Sequence, residues 1–464
     1  MSKVGSGAVE PSAARRCMSD TEELKSGPAR ASSAGLPDAP VYLDQSLRAA
    51  GIDPDRLSIS YLGKPGAARR AVHLFWAARL LLGLILWAGL SLAGEAGLHP
   101  PGWVHAAAAL VVGLLILQAA CDALVTASER LAARLNWDHY VAGTVAEILA
   151  TLPELVVIGF LVPVSPVTAF VVALITIYNN ALVFSIYSFF LPKDQRGRYL
   201  MPLPITGAGS QLLVAGGAIG LVLGLSMMAM SFSEHPKSSF APADLIAIGA
   251  LLIGIFAVYV HKLIADSALE EAQISDALAL TDEQIELRRS LVYRRVHESS
   301  WPLIGGYLVL GALGAALGGE QLAEFATIAI QDLHLNFMVT ALVLAGFAGM
   351  SEYVILWQSH RKGEYGIALA NGFGGITQVM FLVLPFTMIA IGVFQAWFNP
   401  AHAELPLLFS FSNMLLLLFL FPMLFVLMEL LREDHTLGIL DTTIMVSIFL
   451  LLIVLLLAHG VAEP

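Results

Sequence analysis

Two glutamates stand deep inside long apolar stretches of the chain. One lies in Ala150-Thr-Leu-Pro-Glu154-Leu-Val-Val and the other in Gly349-Met-Ser-Glu352-Tyr-Val-Ile. A carboxylate in a bilayer is costly and is retained mainly on ion pathways or in pairs. Two carboxyls that face one cavity form a site for a hard cation, Ca²⁺ above all, whose ligands are oxygens. Because burial favours the neutral carboxyl, the same pair can hold protons when the metal leaves.

Neutral oxygens near the two acids are candidates to complete this site. Hydroxyls precede each acid, and amides and hydroxyls occur in the apolar stretch that follows it. The candidates are Thr151, Ser351, Thr176, Asn180, Asn371, Thr377 and Gln378. The alternative for the hydroxyls and amides is hydrogen bonding between helices without contact to an ion. Pro153 lacks a backbone N–H, so it is expected to break its helix and to free a carbonyl near Leu149 and Ala150. Gly346 and Gly349 are expected to loosen the corresponding turn before Glu352.

Three further acids occupy membrane-length stretches. Glu147 lies seven residues before Glu154 and shares its helical face, nearer the cytoplasm. It is a candidate proton relay, and the alternative is an acid whose side chain reaches the membrane surface. Asp122 and Glu320 lie toward the ends of their stretches, where interface positions are favoured over roles as ligands.

The composition requires a bilayer as the solvent, since 57% of the 464 residues are hydrophobic and only 13% are charged. A transmembrane helix needs about 20 apolar residues, and strand alternation is absent. We predict an all-α polytopic membrane protein with about eleven transmembrane helices. The predicted spans are 71–94, 103–127, 139–162, 166–191, 203–229, 243–264, 301–318, 335–357, 365–390, 406–429 and 440–459.

Arginine and lysine residues predict the orientation, because short loops rich in them stay in the cytoplasm. With a cytoplasmic N-terminus, every predicted inner loop carries at least one of them, whereas the outer loops carry only Lys237. The eleven spans then place the C-terminus outside. We expect the cytoplasmic membrane of a bacterium, or a comparable organelle membrane.

An internal repeat relates the two acids, which are 198 positions apart. The same offset joins Trp103 to Trp301 and Asn180 to Gln378 without a gap. Each copy holds five spans, an odd number, so the copies are predicted to be inverted, an architecture typical of secondary transporters. The predicted units are a tail at 1–63, an extra N-terminal helix at 71–94, repeats at 103–264 and 301–459, and an acidic cytoplasmic helix at 265–300.

Other function classes lack their signatures in this chain. We find no nucleotide-binding loop, metalloprotease motif or nucleophile elbow in a usable context, so no enzyme and no cofactor are expected. No basic patch indicates a nucleic acid, and the expected partners are inorganic cations and lipid. The acidic stretch 265–300 is a solvated tether or, alternatively, a calcium sensor or contact surface. A homodimer is left open.

Two motifs resemble a known family. Thr151-Leu-Pro-Glu154-Leu-Val resembles the first alpha-repeat signature of the calcium:cation antiporter superfamily. In the second copy, Gly366-Ile-Ala-Leu-Ala-Asn-Gly-Phe-Gly-Gly-Ile-Thr-Gln378-Val-Met-Phe-Leu-Val-Leu-Pro385 is similar to the cation/proton exchanger branch. The resemblance covers residues 103–459.

The resemblance implies a ten-helix core preceded by one helix, with Glu154 and Glu352 as the cation-binding acids. Asn180 and Gln378 match the amides of the two family repeats, and Thr176 stands where the first repeat usually has serine. The Gly-Asn pairs that usually precede the acids are replaced. The expected function is export of Ca²⁺, or a related cation, in exchange for H⁺ by alternating access. The alternatives are Na⁺/Ca²⁺ or Na⁺/H⁺ exchange, or a membrane sensor or scaffold that does not transport.

Overall fold

The computed structural model describes most of the chain beyond its N-terminal tail. The described residues are 69–97, 100–135, 139–194, 196–201, 205–233, 239–277, 300–335, 337–362, 365–398, 411–432 and 434–459. The predicted tail at 1–63 and most of the predicted acidic helix at 265–300 lie outside them. The first part of that stretch continues a membrane helix as far as Ala277.

Helices make up almost all of the described chain. They are α1 (Arg69–Glu95), α2 (Gly102–Arg134), α3 (His139–Val164), α4 (Pro166–Tyr187), α5 (Ser210–Ser231), α6 (Pro242–Ala277), α7 (Trp301–Thr327), α8 (Phe337–Ala348), α9 (Met350–Lys362), α10 (Tyr365–Gln378), α11 (Leu384–Val393), α12 (Phe411–Arg432) and α13 (Ile439–His459). Single π-helical turns adjoin four of them, at Ile205–Gly209, Ile328–Asp332, Val379–Val383 and Phe394–Phe398. Two short strands, β1 (Tyr199–Leu200) and β2 (Thr436–Leu437), pair antiparallel.

The predicted membrane spans are found as helices. Within the described ranges, eight helical segments are long and apolar enough to cross a bilayer, and three shorter apolar helices accompany them. Together they coincide with the eleven predicted spans, so the prediction of an all-α polytopic membrane protein is confirmed. The most enclosed segment is Pro166–Phe190, which contains α4 and is 78% buried over its most apolar window. This central helix carries Asn180.

Helix continuity at the two acids differs from the prediction. The expected break at Pro153 is wrong, because α3 runs without interruption through that residue. A proline removes one hydrogen bond, and the rest of the ladder keeps the helix intact. The interruption lies instead in the second half, where Gly349 separates α8 from α9. There the hydrogen bond from the Gly349 amide to the Ala345 carbonyl is stretched to 3.4 Å.

Small residues allow the long helices to approach one another closely. A Cβ atom on Gly113 of α2 would lie 3.0 Å from the Gly318 carbonyl oxygen of α7, and one on Gly318 would lie 3.0 Å from the Gly113 carbonyl oxygen. Glycines of α5 pack in the same way against α12, where a Cβ on Gly220 would lie 2.8 Å from Leu420 Cδ1. Close backbone packing of this kind stabilises helix association in a bilayer.

The N-terminal helix α1 packs on α2 at the edge of the bundle. Only 6% of its most apolar window is buried. The Arg79 guanidinium forms an ion pair with Asp122 of α2. One helical turn further along α1, Gly83 lets Ile116 approach to within 2.7 Å of the place where a Cβ would stand.

Candidate cation site

The carboxyl group of Glu352 is held by α4 and α10. Glu352 lies in the first turn of α9 and is 9% exposed. The Asn180 side-chain amide of α4 donates a hydrogen bond to Glu352 Oε2 over 2.7 Å. Asn371 of α10 donates to the Glu352 backbone carbonyl over 2.9 Å. The two amides therefore fix both the side chain and the backbone of this acid.

A glycine on α10 makes room for this carboxyl group. A Cβ atom on Gly375 would stand 2.1 Å from Glu352 Oε2 and 2.9 Å from Asn180 Nδ2. Both distances are shorter than any ordinary van der Waals contact, so no side chain fits at position 375 while the acid keeps its place. The glycine-rich turn that resembles the exchanger family thus gives the acid its space.

The hydroxyl group of Tyr353 joins this cluster. It donates a hydrogen bond to Asn180 Oδ1 over 3.1 Å, so the Asn180 amide is bonded on both sides. Tyr353 is not among the site residues predicted from the sequence. Its position directly after Glu352 is the only signal in the sequence, and the partner on α4 becomes visible only in the fold.

Glu154 has a different environment. It is 2% exposed, and both of its carboxyl oxygens are buried without a hydrogen-bond partner among the described residues. One turn earlier on α3, the Thr151 hydroxyl donates to Gln378 Oε1 of α10 over 2.6 Å. A buried carboxyl with no donor is expensive to keep charged, so it requires a proton or a cation.

The turns that carry the two acids meet along α10 and α2. Gly375 touches the Glu352 carboxyl and Gln378 bonds Thr151, and residues three apart on a helix are neighbours. The Tyr353 hydroxyl lies within electrostatic range of both carboxyl groups. A cleft against α2 is lined by residues from both halves, among them Cys121, Pro153, Ala348 and Met350.

Two of the predicted ligands donate their hydroxyl hydrogen bonds within their own helices. The Thr176 hydroxyl donates to the Val172 carbonyl over 2.7 Å, and the Thr377 hydroxyl donates to the Gly374 carbonyl over 3.1 Å, each within its own helix. Their hydrogen bonds therefore do not link these two residues to the carboxyl groups of Glu154 and Glu352. The side chains of Glu147 and Ser351 lie outside the described part of the structure.

The Ala150 carbonyl, predicted to be free near Pro153, has a partner. The Cys121 thiol of α2 donates to it over 3.4 Å. No cluster of three or more histidine, cysteine, aspartate or glutamate side chains occurs within the ranges described above. A cation bound here would therefore depend on the two glutamates and on neutral oxygens, chiefly the amide oxygens of Asn180 and Gln378.

Comparison with known proteins supports the resemblance found in the sequence. Residues 303–458 match the family described as sodium/calcium exchanger protein. This match lies in the second predicted repeat and contains Glu352 and Gln378. No curated protein matches the chain in sequence.

Solved structures share the fold. The crystal structure of the H⁺/Ca²⁺ exchanger CAX superposes with a TM-score of 0.57 at 14% sequence identity, covering 82% of this chain and 88% of that one. The crystal structure of the Ca²⁺/H⁺ antiporter protein YfkE gives a TM-score of 0.53 at 13% identity, covering 82% and 98%. The resemblance to the calcium:cation antiporter superfamily is confirmed, and the chain is a multi-pass membrane protein with that fold.

Proposed function

We propose that the protein is a secondary antiporter that exports Ca²⁺ in exchange for H⁺ by alternating access, with Glu154 and Glu352 as ligands shared by cation and protons. The observation that carries this proposal is the buried Glu154 carboxyl, which has no donor within the described residues and lies on a turn joined to the Glu352 cluster through α10. Such a group is stabilised when it binds either a proton or a cation, and exchange needs both.

Neutral oxygens fit the chemistry of a hard cation. The amide oxygens of Asn180 and Gln378 lie on the elements that surround the two acids, and the Thr151 hydroxyl holds the second of these oxygens. Ca²⁺ takes six to eight oxygen ligands, so two carboxylates need such helpers, together with backbone carbonyls and water. These groups cannot supply the sulfur ligands that softer metals prefer.

Packing between helices supports two inverted repeats at 103–264 and 301–459. The offset of 198 residues pairs α2 with α7 and α5 with α12, and each of these pairs packs together. It also relates α6 to α13 and the end of α4 to the start of α11. In the structure α6 packs on α11 and α13 packs on α4, so the second contact is the equivalent of the first. Reciprocal packing is expected when two halves are related by an axis in the membrane plane.

Loop charges support a cytoplasmic N-terminus, an outer C-terminus and a location in the cytoplasmic membrane. In this orientation the loop that ends at β1 and the loop around β2 both face the cytoplasm. They are joined there by the ion pair between Arg198 and Asp434. Ca²⁺ then leaves the cell and H⁺ enters.

A second candidate is exchange of Na⁺ for Ca²⁺ at the same site. It is favoured by the match of residues 303–458 to the sodium/calcium exchanger family. Because Na⁺ is also a hard cation that oxygen ligands bind, the described side chains accommodate either coupling ion.

Transport by purified protein in liposomes tests both candidates. Ca²⁺ uptake is measured under an imposed pH gradient and, separately, under a sodium gradient. We expect uptake driven by the pH gradient, and loss of uptake in Glu154→Gln and in Glu352→Gln, which keep the side-chain size and remove the charge. Glu320→Gln is the matched control, because that acid is exposed on the bundle surface.

Each outcome separates the candidates. Uptake only under a sodium gradient supports the second candidate and refutes proton coupling. A sensor or scaffold predicts no uptake in any condition, and unchanged cellular phenotypes for both substitutions at the acids. Full uptake in the Glu154→Gln and Glu352→Gln variants would refute the site itself.

A further inference from the structure

The Asn180 side chain has one amide oxygen, and one of its two lone pairs already accepts a hydrogen bond. The amide nitrogen donates to Glu352 over 2.7 Å, and the amide oxygen accepts from the Tyr353 hydroxyl over 3.1 Å. A cation can be bound only by the oxygen, since an amide nitrogen has no lone pair to offer. In the arrangement seen here, the side of the amide that faces the Glu352 carboxyl is therefore its donor side.

The second half of the chain repeats this arrangement. Gln378, which corresponds to Asn180 under the offset of 198 residues, has its amide oxygen bonded by the Thr151 hydroxyl over 2.6 Å. Each amide oxygen thus accepts from a hydroxyl that belongs to the opposite half. The donors are chemically different, a phenol in one case and an aliphatic hydroxyl in the other, and they stand at positions that do not correspond under the offset.

A glycine is required for the contact between Tyr353 and Asn180. A Cβ atom on Gly349 would lie 2.7 Å from the Tyr353 hydroxyl and 2.7 Å from Asn180 Oδ1. Any larger residue would enter the space that the two groups share. The helix interruption at Gly349 therefore has a function besides loosening the helix, because it admits the phenol to the amide oxygen.

We propose that Tyr353 and Thr151 are positioning residues that hold the amide oxygens of Asn180 and Gln378, so that each amide must turn away from its hydroxyl before its oxygen can face a cation between the acids. This inference rests on the proposed function, because it assumes that a cation enters between the acids. It assigns to Tyr353 the role of weakening cation binding, which allows release.

The sign of the expected effect distinguishes this role from a purely structural one. Removing the Tyr353 hydroxyl deprives the arrangement seen here of a hydrogen bond, whereas an amide oxygen that has turned to a cation has already given that bond up. Binding should then become tighter, by about fivefold for one neutral hydrogen bond. A hydroxyl that merely stabilised the bundle would, on removal, lower protein stability and leave affinity unchanged or weaker.

The experiment measures equilibrium Ca²⁺ binding and the KM and kcat of uptake for wild type, Tyr353→Phe and Thr151→Val. We expect a Kd and KM about fivefold lower in each variant, with a lower kcat because release is slower. Tyr178→Phe is the matched control. It removes a buried tyrosine hydroxyl on α4 that donates to the Leu416 backbone carbonyl, away from the acids. Its Kd should equal that of wild type.

Two results would overturn the inference. One is an unchanged or higher Kd in a Tyr353→Phe protein that is folded by gel filtration and melting temperature. The other is an equal decrease of Kd in the Tyr178→Phe control. If Tyr353→Phe fails to fold, Thr151→Val gives the same readout. If wild-type protein transports Ca²⁺ and either of these results is found in the variants, the proposed function stands and only this inference is refuted. Wild-type protein that neither binds nor transports Ca²⁺ refutes both.

Discussion

Replacement of Gly375 by alanine tests the position of the Glu352 carboxyl while leaving the helices intact. The added Cβ would lie 2.1 Å from Glu352 Oε2, 2.7 Å from Glu352 Cδ and 2.9 Å from Asn180 Nδ2. Since carbon and oxygen atoms pack no closer than about 3.0–3.4 Å, the carboxyl must move by about 1 Å or more. All three atoms are ends of flexible side chains, so they can move without displacing the backbone.

The expected consequence is loss of transport without loss of stability. Misplacement of a site group by about 1 Å can cost about 100-fold in rate. Alanine favours a helix over glycine by about 1 kcal/mol, so the melting temperature of Gly375→Ala should be equal to or above that of wild type. Ca²⁺ uptake in liposomes and thermal unfolding in detergent, measured on the same preparation, check both parts.

Gly159→Ala is the matched control for this experiment. Gly159 lies in α3, the helix that carries Glu154, and a Cβ there would meet no atom within 4 Å. This variant should transport at the wild-type rate. Wild-type uptake by Gly375→Ala would show that the Glu352 carboxyl does not need the position seen here, and would refute the assignment of α10 as the wall of the site.

Two further predictions concern contacts away from the site. Arg79→Met removes the ion pair with Asp122, whose side chain is 32% exposed, so it should destabilise the protein by about 1 kcal/mol or less. The double variant with Asp122→Asn should recover most of that loss in thermal unfolding, and no recovery would contradict a direct pair. On the cytoplasmic side, the hydrogen bond from Thr436, aided by other hydrogen bonds and by Arg198, lowers the pKa of Asp434 from 3.8. Its stabilising contribution should be complete above that value and disappear as the pH falls through the lowered pKa. Asp434→Ala should therefore have a lower melting temperature than wild type at pH 6 and the same one at the acidic end; a constant difference would refute the link.

The helices and the two acids could be predicted from the sequence because their signals are local. Apolar runs of membrane length give the spans directly, and a charged residue in the middle of such a run stands out whatever surrounds it. The offset of 198 residues then related Glu154 to Glu352 and Asn180 to Gln378 without knowledge of any contact. These features depend on composition and spacing alone.

The partners of each side chain could not be predicted in this way. Of the two turns expected to open, only the one at Gly349 is interrupted, and the choice between them depends on packing against neighbouring helices. The hydrogen-bond partners of Thr176 and Tyr353 likewise depend on how each helix is rotated about its own axis. The Thr176 hydroxyl bonds within α4, whereas the unselected Tyr353 reaches Asn180. A rotation of one helix by one residue would exchange such partners, and no local pattern specifies it.

The two halves of the site are unequal in a way that alternating access would require. Glu352 accepts a hydrogen bond from Asn180, whereas Glu154 has no donor within the described chain, although the offset makes the two acids equivalent. Under the proposed inverted repeats, the opposite-facing state arises when the halves exchange conformations. The amide of Gln378 would then serve Glu154 as Asn180 serves Glu352 here. Each acid would in turn be the one that lacks a protein donor and depends on a proton or cation, so under the proposed function the unequal hydrogen bonding would couple ion exchange to the direction in which the site opens.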